Sequence, residues 1–450
     1  MTAPLVVRLH DNVTVGPVLA RAGRVLRLSS AAMAMLEDRE VMADSAATVV
    51  LAHRLMDLDL ASVVRGGSAS ADQSDLTVVV PVRDRPRGVD RLLRALAGEV
   101  ACVVVDDASR DAEALRGVAV AHGAQLVRLE ENVGPAGARN AGLTEVTTPF
   151  VAFVDSDIDV SGGQLVRLLA EFVDPALAAC APRVRTRGGR RWFERYEDSS
   201  GSLDLGPSTA TVRPWSPVAY VPSACLVARV GDLGTGFDES LLSGEDVDLV
   251  WRLVASGRRV RYCADVEVWH DHRTTVAGWV GRKFLYGTSA APLARVHGSR
   301  VAPAMFSADS AVLVVAVLIQ RQWAWAAAGV LGFRFFRQIS SRLPELDRRG
   351  RVQLTGSAAA TTARQVSSLA LRHWWPLTAI AMIFSRRVRR VALVAAVADA
   401  VKHPGFGIAR RVDDLAYGSG VWWGALRSRS MRCLLPAWSG RAARGPRGWS

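Results

Sequence analysis

The stretch FVAFVDSDID, residues 150–159, passes through five apolar residues and then carries three carboxylates spaced two residues apart. A continuous apolar run that stops at polar residues is typical of a strand buried on both faces of a parallel sheet. The side chains of Asp155, Asp157 and Asp159 would repel one another unless a positive group lay between them. The stretch therefore predicts a buried strand whose carboxyl end faces a cation.

Two upstream apolar runs end in acids in the same way. LTVVVPV at 76–82 is followed by Asp84, and ACVVVDD at 101–107 ends in Asp106 and Asp107. Helical stretches separate the runs, which predicts an α/β domain with a mostly parallel sheet. Ligands bind beyond the carboxyl ends of such strands, so three acidic ends predict a polar ligand together with a cation. For one acidic end alone, solvation or a helix N-cap is an equal alternative.

Composition indicates the class of protein and its partners. Half of the 450 residues are hydrophobic, which is high for a soluble enzyme, and the formal net charge is +13. Residues 385–450 hold thirteen Lys and Arg against three Asp, interleaved with apolar and Trp-bearing segments. This pattern predicts contact with an anionic membrane surface. Nucleic acid is the rival partner, but because zinc-finger and RNA-binding signatures are absent we expect no nucleic acid.

Cysteine usage and the N-terminal sequence indicate the compartment. The five cysteines are odd in number and form no CxxC pair, which is typical of a reduced cytosolic protein. The N-terminal segment has no charged region followed by an apolar run, so we expect no secretory signal. Any membrane contact is therefore expected on the cytoplasmic face of the cell membrane.

Shifts in pattern along the chain predict four segments. Residues 1–64 place strand-like alternation before helical periodicity, which predicts a small α+β domain. Residues 65–75, rich in Gly, Ser and Ala, predict a linker. The strand and helix alternation fills 76–300, and 301–450 forms a helical, hydrophobic and basic tail.

One apolar stretch of the tail has the length of a membrane span. Residues 310–333 are long enough to cross a bilayer, but Arg321 interrupts them, and a central arginine is costly in a membrane. We expect membrane association through true spans, hairpins or interfacial helices. A soluble helical cap is the alternative.

The spacing of two acids favours a divalent cation. Asp155 and Asp157, at positions i and i+2, offer oxygen ligands and leave coordination positions open for the phosphates of a ligand. Residues 155–166 lack the sixth-position Gly and twelfth-position Glu of an EF-hand loop, which excludes that calcium site. The chain also lacks a GxxxxGK[ST] loop and a strand-borne GxGxxG, which weakens ATPase and dinucleotide-binding interpretations.

Five ordered motifs carry a family resemblance. They are VVVPVRDRP (78–86), VVVDDASRD (103–111), ENVGPAGARNAGL (131–143), FVDSD (153–157) and GFDESLLSGEDVDLVWRL (236–253). In this order they resemble the family 2 glycosyltransferases of the GT-A fold, over roughly residues 76–282. The resemblance implies a metal-dependent enzyme that takes a sugar from a nucleotide sugar donor.

The resemblance also implies donor-binding residues. Asp106 or Asp107 would accept the imide N–H of a uracil ring, and Asp84 would lie at the same edge. Arg139 would lie against the donor diphosphate or ribose, where neighbouring small residues allow close approach. An exposed helix arginine without a ligand is the alternative for Arg139.

A cation site follows from the same resemblance. Asp157 would bind the metal that holds the diphosphate, and Asp155 would lie near both the ribose and the metal. His270 or His272 would touch the metal or the diphosphate, with His270 preferred, and a purely structural histidine is an equal alternative. Mg²⁺ and Mn²⁺ are both compatible with two carboxylates. Asp159 has no assigned role.

The acceptor side of the reaction needs a base. Asp246 matches the catalytic base of the family, and Glu245 would orient the acceptor. Attack opposite the diphosphate would invert the anomeric centre and give a β-linked product. The alternative is a helix N-terminus that these acids merely stabilise.

The whole-chain arrangement narrows the resemblance to the mycofactocin-system family of glycosyltransferases. Residues 1–64 are similar to the PqqD-like peptide-recognition fold, which would bind peptide by strand addition. The family implies transfer of glucose from UDP-glucose onto a peptide-derived redox cofactor precursor, building a β-1,4-glucan. A lipid or cell-wall glycan acceptor is the alternative, and a nucleotidyltransferase or a non-catalytic peptide-binding scaffold are the competing classes.

Overall fold

The structure, a computed structural model, describes residues 5–21, 24–64, 72–186, 188–271, 275–345 and 348–439. Two compact units divide the chain. The first comprises Met1–Val13 and Ser29–Arg273, and the second comprises Thr14–Leu28 and Thr274–Ser450. Most of the predicted linker lies outside the described residues, and the predicted domain boundaries stay a prediction.

The N-terminal residues form strands and helices that are divided between the two units. These elements are β1 (Leu5–Leu9), β2 (Val18–Arg21), β3 (Arg24–Arg27), α1 (Ser30–Ala34), β4 (Glu40–Ala43), α2 (Ala46–Asp57) and β5 (Ala61–Val63). Strands β4, β1 and β5 form an antiparallel sheet in that order. Helix α2 begins at a capping box of Ser45 and Thr48 and buries Leu55 and Met56. The similarity of this segment to a PqqD-like fold stays a prediction.

A mostly parallel sheet forms the core of the first unit, as the sequence predicts. Its strands are β6 (Leu76–Val82), β7 (Ala101–Asp107), β8 (Gln125–Leu129), β9 (Phe150–Val154), β10 (Ile158–Asp159), β11 (Leu177–Arg185), β12 (Ala210–Thr211), β13 (Cys225–Arg229) and β14 (Arg259–His270). Its order, within the described ranges, is β10-β14-β11-β13-β9-β6-β7-β8, with β12 paired to β14. Strands β9, β6, β7 and β8 are parallel neighbours, and β13 runs antiparallel between β9 and β11.

Helices connect and cover these strands. They are α3 (Pro86–Leu96), α4 (Ala112–Ala121), α5 (Gly134–Thr144), α6 (Gly162–Leu169), α7 (Trp192–Ser200) and α8 (Glu245–Ala255), with 3-10 turns at Gln73–Asp75, Ala170–Val173 and Val230–Asp232. Every residue of β9 is buried, which explains its unbroken apolar sequence. Since β9, β6 and β7 are parallel, their acidic carboxyl ends meet at one edge of the sheet. The predicted edge is thus confirmed.

The N-terminal segment is attached to the far end of this sheet. Asp57, the last residue of α2, forms an ion pair of 3.0 Å with Arg259, which begins β14 and also pairs with Asp174. The Thr211 hydroxyl donates to the Met56 carbonyl over 2.7 Å. Because β14 has twelve residues, its two ends lie roughly 35 Å apart. The attachment is therefore remote from the carboxyl end of β14.

The second unit is mainly helical. Its elements after residue 274 are α9 (Val276–Thr288), α10 (Ala290–His297), β15 (Met305–Phe306), α11 (Ala308–Ile319), α12 (Gln322–Arg342), α13 (Arg348–Ser368), a π-helical turn (Leu369–His373), α14 (Trp375–Phe384), α15 (Arg386–Lys402), α16 (Gly407–Arg427) and β16 (Ala437–Trp438), with 3-10 turns at Gly298–Val301 and Arg432–Leu434. The β2–β3 hairpin belongs to this unit, where Arg27 pairs with Glu345 at 2.8 Å. The predicted helical tail is confirmed.

The long apolar stretch of the tail is two helices. Helix α11 ends before Gln320, whose φ of 51° is left-handed, and α12 begins after Arg321. Among the described helices, none combines the length and the hydropathy that crossing a bilayer requires. Arg321 therefore lies at a helix boundary, where its charge interrupts no helix.

Glycines allow α9 and α16 to approach closely. A Cβ on Gly420 would overlap the carbonyl oxygen of Phe284, and one on Gly287 would overlap that of Tyr417. At these positions the backbones of the two helices touch directly. The small residues of α16 therefore determine the helix separation.

Replacing Gly420 by Ala is expected to destabilise the second unit by about 1–3 kcal/mol, because the two helices must move apart. Chemical denaturation followed by circular dichroism would measure the change. Gly329→Ala is the matched control, since α12 offers open space around Gly329. Removing a helix glycine there should raise stability by up to about 1 kcal/mol. Equal effects of the two substitutions would contradict the close packing.

Candidate active site

The acidic turn after β9 is held by backbone hydrogen bonds. The Asp155 N–H donates to the Ala224 carbonyl over 2.9 Å, and the Asp271 N–H donates to the Asp157 carbonyl over 3.1 Å. Strand β10 follows at once and pairs Ile158 with His270 of β14. This register brings the end of β14 beside the turn, although the two are far apart in sequence.

The predicted metal ligands lie around this turn. The Nε2 atom of His270 is 3.3 Å from Oδ2 of Asp157, and these side chains are 13% and 12% exposed. Asp157 offers a carboxylate beside this imidazole, and Mg²⁺ commonly uses one or two carboxylates and completes its coordination with substrate phosphates. Over the described ranges, no three His, Cys, Asp or Glu side chains form a metal cluster by themselves. His272 lies outside the described residues.

Arg139 links the acidic turn to the start of α8. Its guanidinium is 3% exposed and donates to Asp155 over 2.6 Å and to Glu245 over 3.1 Å. The ring of Phe237 lies 5.4 Å from the guanidinium carbon, a cation–π distance. The alternative of an exposed helix arginine is therefore wrong. In the structure Arg139 contacts two carboxylates, and its predicted contact with a donor stays a prediction.

Opposing effects act on the pKa of the Asp155 carboxyl. Burial raises the pKa of its carboxyl above the ordinary value, Arg139 opposes this rise, and the neighbouring carboxylate of Asp157 adds to it. Burial lowers the pKa of the Arg139 guanidinium, whereas Asp155 and Glu245 raise it. The net effect is an increase. Arg139 therefore favours the ionised form of Asp155, against the effect of burial.

The candidate base lies in the first turn of a helix. Gly244, whose φ is 85°, precedes Glu245 and Asp246 in the first turn of α8. Burial raises the pKa of Asp246 to about 7, and the charge of Glu245 adds to the increase, while the N–H of Val247 donates to Oδ1 over 2.8 Å and opposes it. A carboxylate whose pKa lies near neutrality is suited to accept a proton. The role of Asp246 as a base stays a prediction.

The two acids of β7 hold the backbone around them. Asp106 is fully buried, accepts the N–H of Ser109 over 2.9 Å and pairs with Arg128. Asp107 accepts the N–H groups of Val133 and Gly134 over 2.8 and 3.0 Å, at the start of α5. Both carboxylates thus have structural roles that the sequence did not indicate. Their predicted contact with a uracil ring stays a prediction.

Asp84 organises the loop after β6. Its φ of 57° is left-handed, and its N–H donates to the Ser109 hydroxyl over 2.8 Å. The backbone N–H of Arg110 donates to Asp84 over 2.8 Å and lowers the pKa of this carboxyl, and the Arg110 side chain lowers it further. Asp84 is therefore held by the neighbouring loop, and its role in donor binding stays a prediction.

Sequence reasoning missed Arg85. Its Nη1 atom lies 2.6 Å from Oδ2 of Asp157, the oxygen that also faces His270. Arg85 follows the acidic end of β6, in the loop before α3. Its position beside the acidic edge of the sheet could have indicated a role in the site. The direction of its side chain, however, depends on the left-handed backbone of Asp84, which the sequence did not show.

Comparison with known proteins agrees with this architecture. The sequence profile described as Glycosyl transferase family 2 matches residues 77–230. The chain is 38% identical to the Pre-mycofactocin glycosyltransferase of Mycobacterium tuberculosis over 437 residues, which covers 92% of each chain. It is 29% identical to the succinoglycan biosynthesis protein ExoU of Rhizobium meliloti over 212 residues, 43% of this chain and 60% of that protein.

Solved structures show a weaker likeness. The mannosyltransferase PcManGT of Pyrobaculum calidifontis superposes with a TM-score of 0.44 at 17% identity. The match covers 80% of this chain and 91% of that chain.

Proposed function

The chain belongs to glycosyl transferase family 2, within its mycofactocin-system group, and from this premise we propose that it moves glucose from UDP-glucose onto pre-mycofactocin. Repeated transfer with inversion would build a β-1,4-linked glucan on this peptide-derived acceptor. The likeness to the mycobacterial enzyme over nearly the whole chain supports the acceptor. The observation that carries the chemistry is the continuous contact from Asp155 through Arg139 to Glu245, beside Asp246.

Asp246 is proposed as the general base. It takes the proton of an acceptor hydroxyl while the hydroxyl oxygen forms a bond to the anomeric carbon. The bond from that carbon to the diphosphate breaks, and UDP leaves with the electron pair. The pKa of about 7 keeps Asp246 ionised above neutrality and still basic enough to hold the proton. Glu245 is fixed by Arg139 and is proposed to orient the acceptor hydroxyl.

Asp157 and His270 are proposed to hold Mg²⁺ or Mn²⁺, with Asp155 at the side of the ribose. When bound, the ion neutralises charge that develops on the leaving diphosphate. The chain itself prepares this site, since the register of β10 and β14 fixes His270 against Asp157. Arg139 donates to Asp155 at the same site and favours its ionised form.

The uracil ring is proposed to lie at the ends of β6 and β7, near Asp84, Asp106 and Asp107. Each carboxylate oxygen has lone pairs beyond those that its internal partners use. Either acid of β7 therefore retains the capacity to accept an imide N–H. The internal hydrogen bonds fix the carboxylates in place before a donor arrives.

A mass-spectrometric transfer assay tests the proposal. Purified protein is incubated with UDP-glucose, Mg²⁺ or Mn²⁺ and pre-mycofactocin, beside the Asp157→Ala variant. Successive additions of hexose by the wild type alone are expected. If a folded wild-type protein binds UDP but adds no hexose, the proposal that pre-mycofactocin is the acceptor is overturned.

A lipid or cell-wall glycan is the second candidate acceptor, and the surface of the second unit favours it. Helix α14 has the sequence WPLTAIAMIF, yet it contains no buried residue. Ile383 and Phe384 are 71% and 82% exposed. An apolar helix that leaves its side chains exposed suits a bilayer or a lipid substrate. Transfer to a lipid extract, with none to pre-mycofactocin, would support this second candidate.

We also propose that the second unit binds an anionic membrane surface on the cytoplasmic face. Arg386, Arg387, Arg389 and Arg390 are exposed at the start of α15, directly after the exposed apolar end of α14. Cations beside exposed apolar side chains are the pattern of an interfacial helix on anionic lipid.

Replacing these four arginines by Gln is expected to weaken binding to vesicles that contain phosphatidylserine by at least about 100-fold, since each surface cation contributes about 1 kcal/mol. Co-sedimentation with vesicles measures this affinity. The control removes four exposed arginines of the first unit, Arg54, Arg94, Arg116 and Arg190. Unchanged binding by the α15 variant would contradict the membrane proposal.

A further inference from the structure

The first turn of α3 lies directly on the acidic turn. A Cβ on Gly88 would overlap the carbonyl oxygen of Ser156, so the two backbones touch. Farther along the helix, Arg91 pairs with Asp271 at 2.7 Å, just beyond the end of β14. These contacts fix the start of α3 against the residues that are proposed to bind the metal.

Arg85, the residue directly before α3, contacts the acidic turn. Its Nη1 atom lies 2.6 Å from Oδ2 of Asp157, and the Nε2 atom of His270 lies 3.3 Å from the same oxygen. The Asp157 side chain is only 12% exposed, whereas Arg85 is 44% exposed. The guanidinium therefore contacts a largely buried carboxylate while much of its side chain faces solvent.

A divalent ion on Asp157 would compete with this guanidinium. Two cations that share one carboxylate oxygen repel each other strongly at such distances. Because Asp157 is fixed by its backbone and by β10, the exposed arginine is the partner that has room to move. Its backbone is anchored, since the preceding Asp84 is bound by Arg110.

We propose that Arg85 is a donor-positioning residue that exchanges partners. Without donor it holds Asp157, and when a divalent ion binds Asp157 it turns to the donor diphosphate. The planar guanidinium matches phosphate oxygens with paired N–H donors. This inference rests on the proposed nucleotide sugar donor and adds a residue to its binding site.

The exchange makes metal and diphosphate binding cooperative. A metal that binds alone must displace Arg85 and leave it without a carboxylate partner. With UDP present, the displaced guanidinium gains the diphosphate, so each ligand strengthens the binding of the other. Arg85 should thus weaken the binding of metal alone and strengthen the binding of UDP with metal.

Metal and nucleotide binding by the full chain test the inference. Mn²⁺ is titrated with and without UDP, followed by electron paramagnetic resonance, and UDP is titrated with and without Mn²⁺ by calorimetry. In Arg85→Met, Mn²⁺ alone should bind tighter and UDP with Mn²⁺ weaker, so that the coupling between them falls about tenfold. Arg85→Lys keeps the charge without the planar fork, and it should keep part of the coupling.

Arg94→Met is the matched control, because it removes the same charge at a position of α3 that is 68% exposed and pairs with Asp90 on the surface. It should leave the coupling unchanged. If the Arg85→Met variant couples Mn²⁺ and UDP binding as the wild type does, the role of Arg85 is overturned, while the proposed donor is not. A shift in Mn²⁺ affinity without a loss in UDP affinity would also overturn the role of Arg85. A folded wild type that binds neither ligand would instead overturn the proposed donor, and the inference with it.

Discussion

Replacing Asp246 by Asn is expected to lower kcat/KM for sugar transfer by about 10²–10⁴-fold, because the acceptor hydroxyl loses the group that takes its proton. Binding of UDP should remain, since the substitution keeps the shape of the side chain. Transfer rates and UDP titration on the same preparation measure the two quantities. Loss of both together would indicate a structural role for Asp246.

The pH dependence gives an independent test of this base. The wild-type rate should rise with pH through about 7, the pKa to which burial raises Asp246, because only the ionised carboxylate accepts a proton. The Asn variant should lack this rise. Asp265→Asn is the control, since that carboxylate is 44% exposed and pairs with Arg167 on the surface. A control variant that loses the rise would contradict the assignment.

The same raised pKa predicts an effect on stability with a definite sign. The folded state of the wild type prefers protonated Asp246, so this contribution to stability is present at low pH and lost as pH rises through about 7. Asp246→Asn has no such loss. Its melting temperature should therefore exceed that of the wild type at pH 8 by more than at pH 5, which also shows that the inactive variant is folded.

Replacing Arg139 by Met is expected to reduce the free energy of unfolding by about 3–5 kcal/mol at neutral pH, because Asp155 and Glu245 would lose their shared buried cation. Burial would then raise the pKa of Asp155 further. Since a raised carboxyl pKa favours the folded state at low pH, the deficit should shrink as pH falls. Denaturant titrations at pH 8 and pH 5 measure the difference.

The Arg139→Met variant should also change the pH dependence of the rate. The charge of Arg139 lowers the pKa of Asp246, so the rise of the rate with pH should move above 7 in the variant. Arg94→Met is the control, because Arg94 is 68% exposed and its pair with Asp90 lies on the surface of α3. Surface pairs contribute about 0–1 kcal/mol. Equal stability of the two variants would contradict the buried linkage.

Local sequence patterns were sufficient for the sheet and its acidic edge. The apolar runs 76–82, 101–107 and 150–154 predicted strands that the structure contains with nearly the same bounds. A strand that is buried on both faces of a parallel sheet needs an unbroken run of apolar residues. Such a run can be recognised from a short stretch of sequence. The family motifs then predicted roles for the acids at the ends of these strands.

The apolar stretch 310–333 shows where local patterns were insufficient. Its length predicted a possible span, but the left-handed Gln320 ends one helix and Arg321 precedes the next. Hydropathy alone does not show a helix end in the middle of an apolar segment. The break depends on how the second unit packs.

By itself, the sequence determined the α/β class, the alternation of strands and helices over residues 76–157, and the family, because each rests on periodicity or on ordered motifs. Only the tertiary structure decided which charges meet. Arg139 meets Glu245 across 106 residues of sequence, and Arg85 meets Asp157 across 72. Such contacts depend on strand register, on loop backbone conformation and on burial. Those quantities arise only when distant segments pack together, and they also raise the pKa of Asp246 to about 7.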